Sequence, residues 1–408
     1  MDEIRLRYGT NPHQKHARVY VPEGRLPIEV LNGMPGYINL VDALNSWQLV
    51  KELRALSGMP AAASFKHTSP AGAAIGRELD DKLKKSLFVP EGELSPLACA
   101  YARARGADRM ATFGDWAAFS DTVDEATARL LSREISDGCI APGYEPVALE
   151  ILKTKKNGTY PVLRIDPEWA PPPIEVRQLF GLFLEQERND ARIDYKLLEN
   201  VVTVKKVIPE SVKLDLLLAY LTLKYTQSNS VCLAYDGQVI GVGAGQQSRI
   251  HCTRLACTKA DKWFLRLHPK VLGLKFKKGV SRGEKATAID IFLEENATPE
   301  EAHTWSRLFA EAPAPLTREE LARQLQGELP GFRVHTTQHY LICYNTSPAY
   351  ARWVGGLFEG LYKAFYNYWT RRGAVLHDPP FPLVAVVFDA QAAFQKHARG
   401  ELGEAAQS

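Results

Sequence analysis

Several absences narrow this sequence before any motif does. No uninterrupted apolar run approaches the roughly 18 residues of a membrane span. The richest run, LDLLLAYLTLKY at 214–225, is shorter and contains Asp215 and Lys224. No spanning helix is therefore expected. An excess of one charge is also missing, because 50 Lys and Arg face 47 Asp and Glu, for a formal net charge of +3. Without a basic stripe or an acidic block, neither nucleic acid nor a membrane surface is an expected partner. The opening MDEIRLRYGTNPHQ is charged from its second residue and has no apolar signal region, so a cytoplasmic location is expected. Cysteines are few and scattered, and Cys252 and Cys257 have neither zinc nor redox spacing. They read as reduced core thiols. Short-period repeats and low-complexity segments are absent too.

What remains is an alternation of strand-like and helix-like segments. INLVDALNSWQLVKELRAL, SPLACAYARARG, VDEATARLLSREIS, LDLLLAYLTLKY and SRIHCTRLACTKADKWFLRLH carry apolar residues at helical spacing. AAASFKH, RMATFGDWAAFSD and DGCIAPGYEP look like strands, the first stopped by the Pro-Ala-Gly at 70–72. SVCLAYDGQVIGVGAG reads as a hairpin about Asp236-Gly237, and ILKTKKNGTYPVLRID as a hairpin about Asn157-Gly158. Alternation of this kind predicts α/β layers. The proline run WAPPP at 169–173 is a stiff connector near the edge of a first lobe. Residues 1–195 are expected as lobe one and 196–325 as lobe two. From 326 to 408 the character changes to a strand–helix–strand pattern with an aromatic helix, followed by a short helix and a polar tail. That segment either completes the second lobe or stands as a module of its own.

Four clusters have chemical potential. Lys66-His67 ends a strand, where α/β folds place their sites. His is the usual base near neutral pH, and Lys can steady an oxyanion. Strand neighbours point to opposite faces, so the following Pro and Gly are expected to rotate the pair toward one pocket. The plainer reading is a surface Lys beside a core His. GVGAGQQSR (241–249) places three glycines before a helix and Arg249 in its first turn, an anion-site pattern without Rossmann or Walker spacing, or merely a glycine-rich turn. KYTQSNS (224–230) offers oxygens and amides for a polar heterocycle or a monovalent cation such as potassium, or merely helix caps. RYGTNPHQ (7–14) sets an Arg-Tyr pair before an Asn-Pro turn, and an Arg can grip a phosphate. His335 and His339 are four apart, but on strand-like sequence, so no metal site is expected. The HxE…PCxxC pattern of zinc deaminases is lacking.

In order along the chain, RYGTNPHQ, VLNGMPGYINLVDALNSWQLVKEL, AAASFKHTSPAGAAIG, AYARARGADRMATFGD, SREISDGCIAPGYE and KYTQSNSVCLAYDGQVIGVGAGQQSRIHCTRLA closely resemble the AICAR transformylase domain, particularly its animal-type form. The resemblance runs from residue 1 to about 325. It implies two zinc-free lobes like cytidine deaminase, three-layered α/β, in a homodimer with a shared active site. It implies transfer of a formyl group from 10-formyltetrahydrofolate to the amine of AICAR, giving FAICAR. By matching motifs, Lys66, His67 and Asn229 would be catalytic. Arg7, Tyr8, Asn39, Gly114, Asp137 and Arg249, with His67 and Asn229, would contact AICAR. Met110, Phe113 and Ile250 would meet the folate.

Two departures shape the expectation. The family's IMP cyclohydrolase domain has no counterpart here, so ring closure would fall to a separate protein. The segment from about 326 matches none of the family's closing motifs, and only Arg371 and Arg372 offer substitutes for its late phosphate-binding Arg. The alternative to a working formyltransferase is therefore a relative that binds nucleotide, or serves as a scaffold, without turnover.

Overall fold

The computed structural model describes residues 2–90, 92–203, 206–294, 299–311, 331–370 and 383–389. Arg371, Arg372 and the closing helix expected from sequence lie outside the described residues. The chain divides into two compact units, Met1–Leu293 with Glu300–Ala310, and Glu294–Pro299 with Glu311–Ser408. The β-α-β segment lies in the second of these units, and position 195/196 lies in the first.

The first unit opens with an antiparallel pair, β1 (Asp2–Arg5) and β2 (Arg18–Val21). Then come β3 (Ile28–Asn32), α1 (Tyr37–Ser57), β4 (Ala61–Lys66), β5 (Ser69–Ile75), α2 (Asp81–Ser86) and α3 (Pro96–Gly106). Next are β6 (Asp115–Phe119), α4 (Glu125–Ser132), β7 (Ser136–Ala141), α5 (Pro146–Thr154) and β8 (Val162–Ile165). A hairpin of β9 (Ile174–Leu179) and β10 (Leu182–Glu187) follows the WAPPP connector. After it come α6 (Glu210–Lys224), β11 (Val231–Tyr235), β12 (Gln238–Gly243), α7 (Arg249–Leu265), α8 (Pro269–Leu272), α9 (Arg282–Phe292) and α10 (Pro299–Ser306).

Eight strands form one mixed sheet, ordered β11-β12-β5-β4-β6-β7-β8-β3. β7 runs parallel to both β6 and β8, and the other neighbours are antiparallel. Strands with both faces covered read as nearly continuous apolar runs, and AAASF in β4 is one. Period-two alternation splits them: Ala62, Ala74 and Phe119 join the core under α3, while Ala61, Ala63 and Phe65 join the core under α1. The helices begin where short polar side chains can cap them. Ser95 Oγ accepts the N–H of Ala98 at 3.1 Å, and Asp124 accepts that of Thr127 at 2.7 Å. The β9–β10 hairpin behaves differently. All of its strand residues are exposed, and Phe180 at its tip is 98% accessible.

Three expectations are corrected. Pro70 and Gly72 do not form a turn but lie within β5. Gly72 is required there because a Cβ would sit 2.0 Å from the carbonyl oxygen of Ala104 on α3. ILKTK is the helix α5, with Ala148 and Leu152 buried, and the Asn157-Gly158 turn leads into a single strand, β8. RMATFG is turn rather than strand, since β6 begins only after Gly114. The Asp236-Gly237 hairpin is present as expected, joining β11 to β12.

In the second unit, β13 (Arg333–Thr336) pairs antiparallel with β14 (Tyr340–Tyr344). β14 runs parallel to β15 (Leu383–Val387), with α11 (Pro348–Thr370) between them in sequence. Ile342, Tyr344, Ala351 and Val354 form its core. His335 lies in β13. His339 Nδ1 meets Glu359 Oε2 at 2.6 Å, and its ring stacks on Tyr362. Among the described residues, no helix is long and apolar enough to cross a membrane, and no group of three or more His, Cys, Asp or Glu could hold a metal ion.

Candidate active site

The stretch that ends β4 makes an unusual backbone turn. Lys66 pairs with Ser69, so His67 and Thr68 form a two-residue hairpin turn. Both adopt left-handed backbone, with φ of 51° and 70°. Such turns ordinarily use Asn-Gly or Gly, and a β-branched Thr there is strained. Two left-handed residues in succession, not the Pro and Gly after them, reorient the chain at this point. Lys66 is half-buried and His67 is exposed.

Asp42 on α1 holds the turn. Its Oδ1 accepts the N–H of Thr68 at 2.7 Å, and the backbone of His67 also bonds to it. Only 5% of Asp42 is accessible. Burial pushes its carboxyl up to about 6 against the lowering pull of those two backbone bonds, and Asp115 and Asp137 push it further. Sequence reasoning missed this residue. The available signal was an acidic side chain one turn after Asn39, on the face of α1 that otherwise buries Leu, Ala and Trp.

Lys66 Nζ donates to the carbonyl oxygen of Phe113. A methyl group on Gly114 would lie 3.6 Å from Asp137 Oδ2 and 3.8 Å from Lys66 Nζ. Lys66, Phe113, Gly114 and Asp137 therefore share one locality, where Lys156 pairs with Asp137 at 2.6 Å. A second group gathers where α1 starts. Asn39 Oδ1 accepts the N–H of Gly36 at 2.9 Å, the Tyr8 carbonyl accepts the N–H of Tyr37 at 3.1 Å, and Arg7 donates to Tyr8 Oη at 3.0 Å. Asn39 and Asp42 are three apart on α1, so this group and the turn are anchored to one helical face.

The third group begins at Ser69, whose Oγ accepts the N–H of Gln227 at 3.3 Å. Asn229 Nδ2 donates to the carbonyls of Gln246 and Gln247 at 3.2 and 3.3 Å, ahead of Arg249 in the first turn of α7. Arg249 and Ile250 are exposed there, as are Met110 and Phe113 on the segment before β6. Of the three glycines expected to cradle an anion, Gly241 and Gly243 lie in β12. A Cβ on them would come within 2.2 Å of Ala256 O and 2.1 Å of Cys252 O, so they permit α7 to pack against the strand. Only Gly245, with φ 64°, belongs to the loop. A hollow of about 640 Å³ includes Tyr37, Thr68, Thr226 and Gln227 in its lining.

These groups combine a His-Lys turn, amide and carboxylate hydrogen-bonding groups and two exposed arginines on an α/β frame. The arrangement provides candidates for proton transfer and for recognition of a polar, anionic substrate. The family model for the AICARFT/IMPCHase bienzyme matches residues 1–259, and the chain belongs to that family. It is 32% identical over 260 residues to the bifunctional purine biosynthesis protein PurH of Cereibacter sphaeroides, covering 63% of this chain and 45% of that protein. It is 34% identical over 269 residues to PurH of Sorangium cellulosum, covering 63% and 46%. The chain thus spans about half the length of these curated relatives.

Proposed function

We propose that the chain acts in purine biosynthesis as an AICAR formyltransferase, with 10-formyltetrahydrofolate as formyl donor and FAICAR as product. The family membership supports the class of reaction. The observation that supports the particular reading is the His67-Thr68 turn, which directly follows Lys66 and is fastened to the helix bearing Asn39.

The chemistry follows from the substrate. AICAR's amine is conjugated with an electron-poor imidazole and is a weak nucleophile. In this reading His67 removes its proton as nitrogen attacks the formyl carbon. Lys66 and Asn229 stabilise the oxyanion, and folate N10 takes a proton as its bond to carbon breaks, from Lys66 or by relay. Arg7, Tyr8, Asn39, Gly114, Asp137 and Arg249 hold the nucleotide, while Met110, Phe113 and Ile250 meet the folate. General acid–base catalysis supplies about 10²–10⁴-fold, so alignment of the two substrates supplies much of the remainder. Two cytidine-deaminase-like lobes, a homodimer and a structural potassium ion belong to the same reading. The exposed apolar β9–β10 hairpin favours the homodimer. A cytoplasmic location completes it.

The test is tetrahydrofolate release, followed by absorbance, in the presence of AICAR. Release that depends on AICAR and collapses in His67→Ala supports the proposal; equal release in that variant overturns the assignment of the base. A second reading is favoured by one observation: the family match stops at residue 259, while residues 311–408 belong to a unit of their own. That reading is nucleotide binding without turnover, and calorimetric AICAR binding with no tetrahydrofolate release selects it.

A further inference from the structure

Several arginines around α3, α7 and α9 are matched to carboxylates. Arg105 meets Asp115 at 2.6 Å and Glu134 at 3.1 Å, Arg266 meets Asp290 at 2.8 Å, and Arg282 meets Glu134 at 3.2 Å. Arg109, among them, differs. No carboxylate among the described residues lies within ion-pair distance of it. Its Nη1 donates to the Leu87 carbonyl at 2.9 Å, and its guanidinium carbon sits 4.7 Å from the centre of the Phe88 ring. Its Nε is fully buried and, among the described residues, has no hydrogen-bond partner. Glu134 and Asp290 attract it only from a distance, their oxygens being engaged by the other arginines.

Arg109 is half-buried as a whole, with its Nε sealed from solvent, and a cation held there without a carboxylate is costly. Burial accordingly pulls the Arg109 guanidinium down to about 10. The residue lines a cavity of about 200 Å³ whose other polar walls include Lys85, Ser86 and Lys285, and whose apolar walls include Val271, Phe276 and Ile289. Among the described residues, no Asp or Glu lines it. The space is below the roughly 300–1,000 Å³ of pockets for drug-sized ligands, so it suits a compact anion.

We propose that this cavity binds a small oxyanion, a carboxylate or phosphate, with Arg109 as principal partner and Lys85 and Lys285 completing the charge balance. The proposal does not rest on the formyl-transfer reading, because none of its residues belongs to that site. The planar guanidinium fork suits such an anion, and the apolar walls accommodate an attached hydrocarbon group.

The full chain is titrated by calorimetry with benzoate and, separately, with inorganic phosphate, against chloride at equal ionic strength. Saturable binding of either probe is expected, weakened at least about tenfold in Arg109→Met, as expected for loss of a charge-assisted contact. Benzoate alone identifies an anion with an apolar body; phosphate binding identifies the oxyanion itself as sufficient. Without anion, Arg109→Met should melt no lower than wild type, since it removes a half-buried charge that no carboxylate matches. Lys285→Met, at the half-buried wall, should weaken binding severalfold and serves if the first variant does not fold. Absence of saturable binding overturns the proposal. So does binding unchanged in these variants, or phosphate binding removed by Arg7→Met but not by Arg109→Met.

Discussion

The carboxylate of Asp42 and the backbone N–H of Thr68 are 2.7 Å apart, a hydrogen bond that ties the first long helix to the turn bearing His67. A turn with two left-handed, non-glycine residues does not persist unless its surroundings over-determine it. Asp42 supplies part of that constraint, and the pairing of β4 with β5 on either side supplies the rest. The backbone that bears the imidazole is therefore held by a side chain on another element, not by local sequence.

Asp42 makes stability depend on pH in a direction opposite to that of an ordinary paired carboxylate. Its folded pKa is raised to about 6. The folded state therefore holds a proton that the unfolded chain has already released at mildly acid pH. The stability contribution is full below the ordinary carboxylate value, near 4, and is lost as pH rises through about 6. A rise of that size corresponds to about 3 kcal/mol. Asp42→Asn retains an oxygen acceptor but does not titrate. Urea unfolding at pH 4.5 and 7.5 should show less loss across that interval in the variant than in wild type.

Thr68→Gly tests whether the turn is strained. Glycine adopts φ of 70° without steric penalty, although it adds freedom to the unfolded chain. Relief of strain should outweigh that entropy, for a net gain of about 1 kcal/mol. A higher midpoint in urea is expected, and under the proposed function slower turnover as the turn loosens. A lower midpoint would show the turn to be unstrained.

Substitutions at the two neighbouring cation-capable residues should separate their roles. His67→Ala is expected to lower kcat by about 10²–10⁴. Lys66→Met should cost about 10²–10³, and it also frees the Phe113 carbonyl beside Gly114. Circular dichroism should show both variants folded, because neither residue contributes a fully buried side chain.

Periodicity made the long elements legible before the structure. The spacing of Leu40, Ala43, Trp47 and Val50 marks α1, and Ser95 with Pro96 marks the start of α3. What failed to show were features set by distant partners. Pro70 and Gly72 carry turn chemistry in any window of sequence, yet β4 recruits them into a strand and α3 requires the bare glycine. Gly241 and Gly243 look like an anion loop until α7 is packed across them. Asp42 resembles any helical Asp, because only the fold brings Thr68 to it. For the candidate site, Lys66, Gly114 and Asp137 share a locality, whereas the strut beneath His67 had no signature of its own.

Arg105 supports the same locality from inside. It is 7% exposed, and its guanidinium bonds Asp115, Glu134 and the carbonyl of Ile135. Asp115 in turn accepts from Ser64 Oγ at 2.5 Å and begins the strand immediately after Gly114. Burial raises the carboxyl of Glu134, but Arg105, Arg109 and Arg282 outweigh it and hold the pKa below the ordinary value. In wild type this carboxylate therefore stabilises the fold above the ordinary pKa, and the benefit fades as pH falls through the lowered one. Arg105→Met removes the main neutralising charge, leaving Asp115 without its ion-pair partner and Glu134 with Arg282 alone, at a cost of about 3–5 kcal/mol. The pH response should also reverse, the variant gaining stability between pH 7.5 and 5 as a carboxyl takes up a proton. Adding Asp115→Asn should restore part of the loss at pH 7.5, because one uncompensated charge is gone. Denaturation of the single and double variants at the two pH values measures both effects. A single variant as stable as wild type would show that the buried network does not hold Gly114 and Lys66 in register.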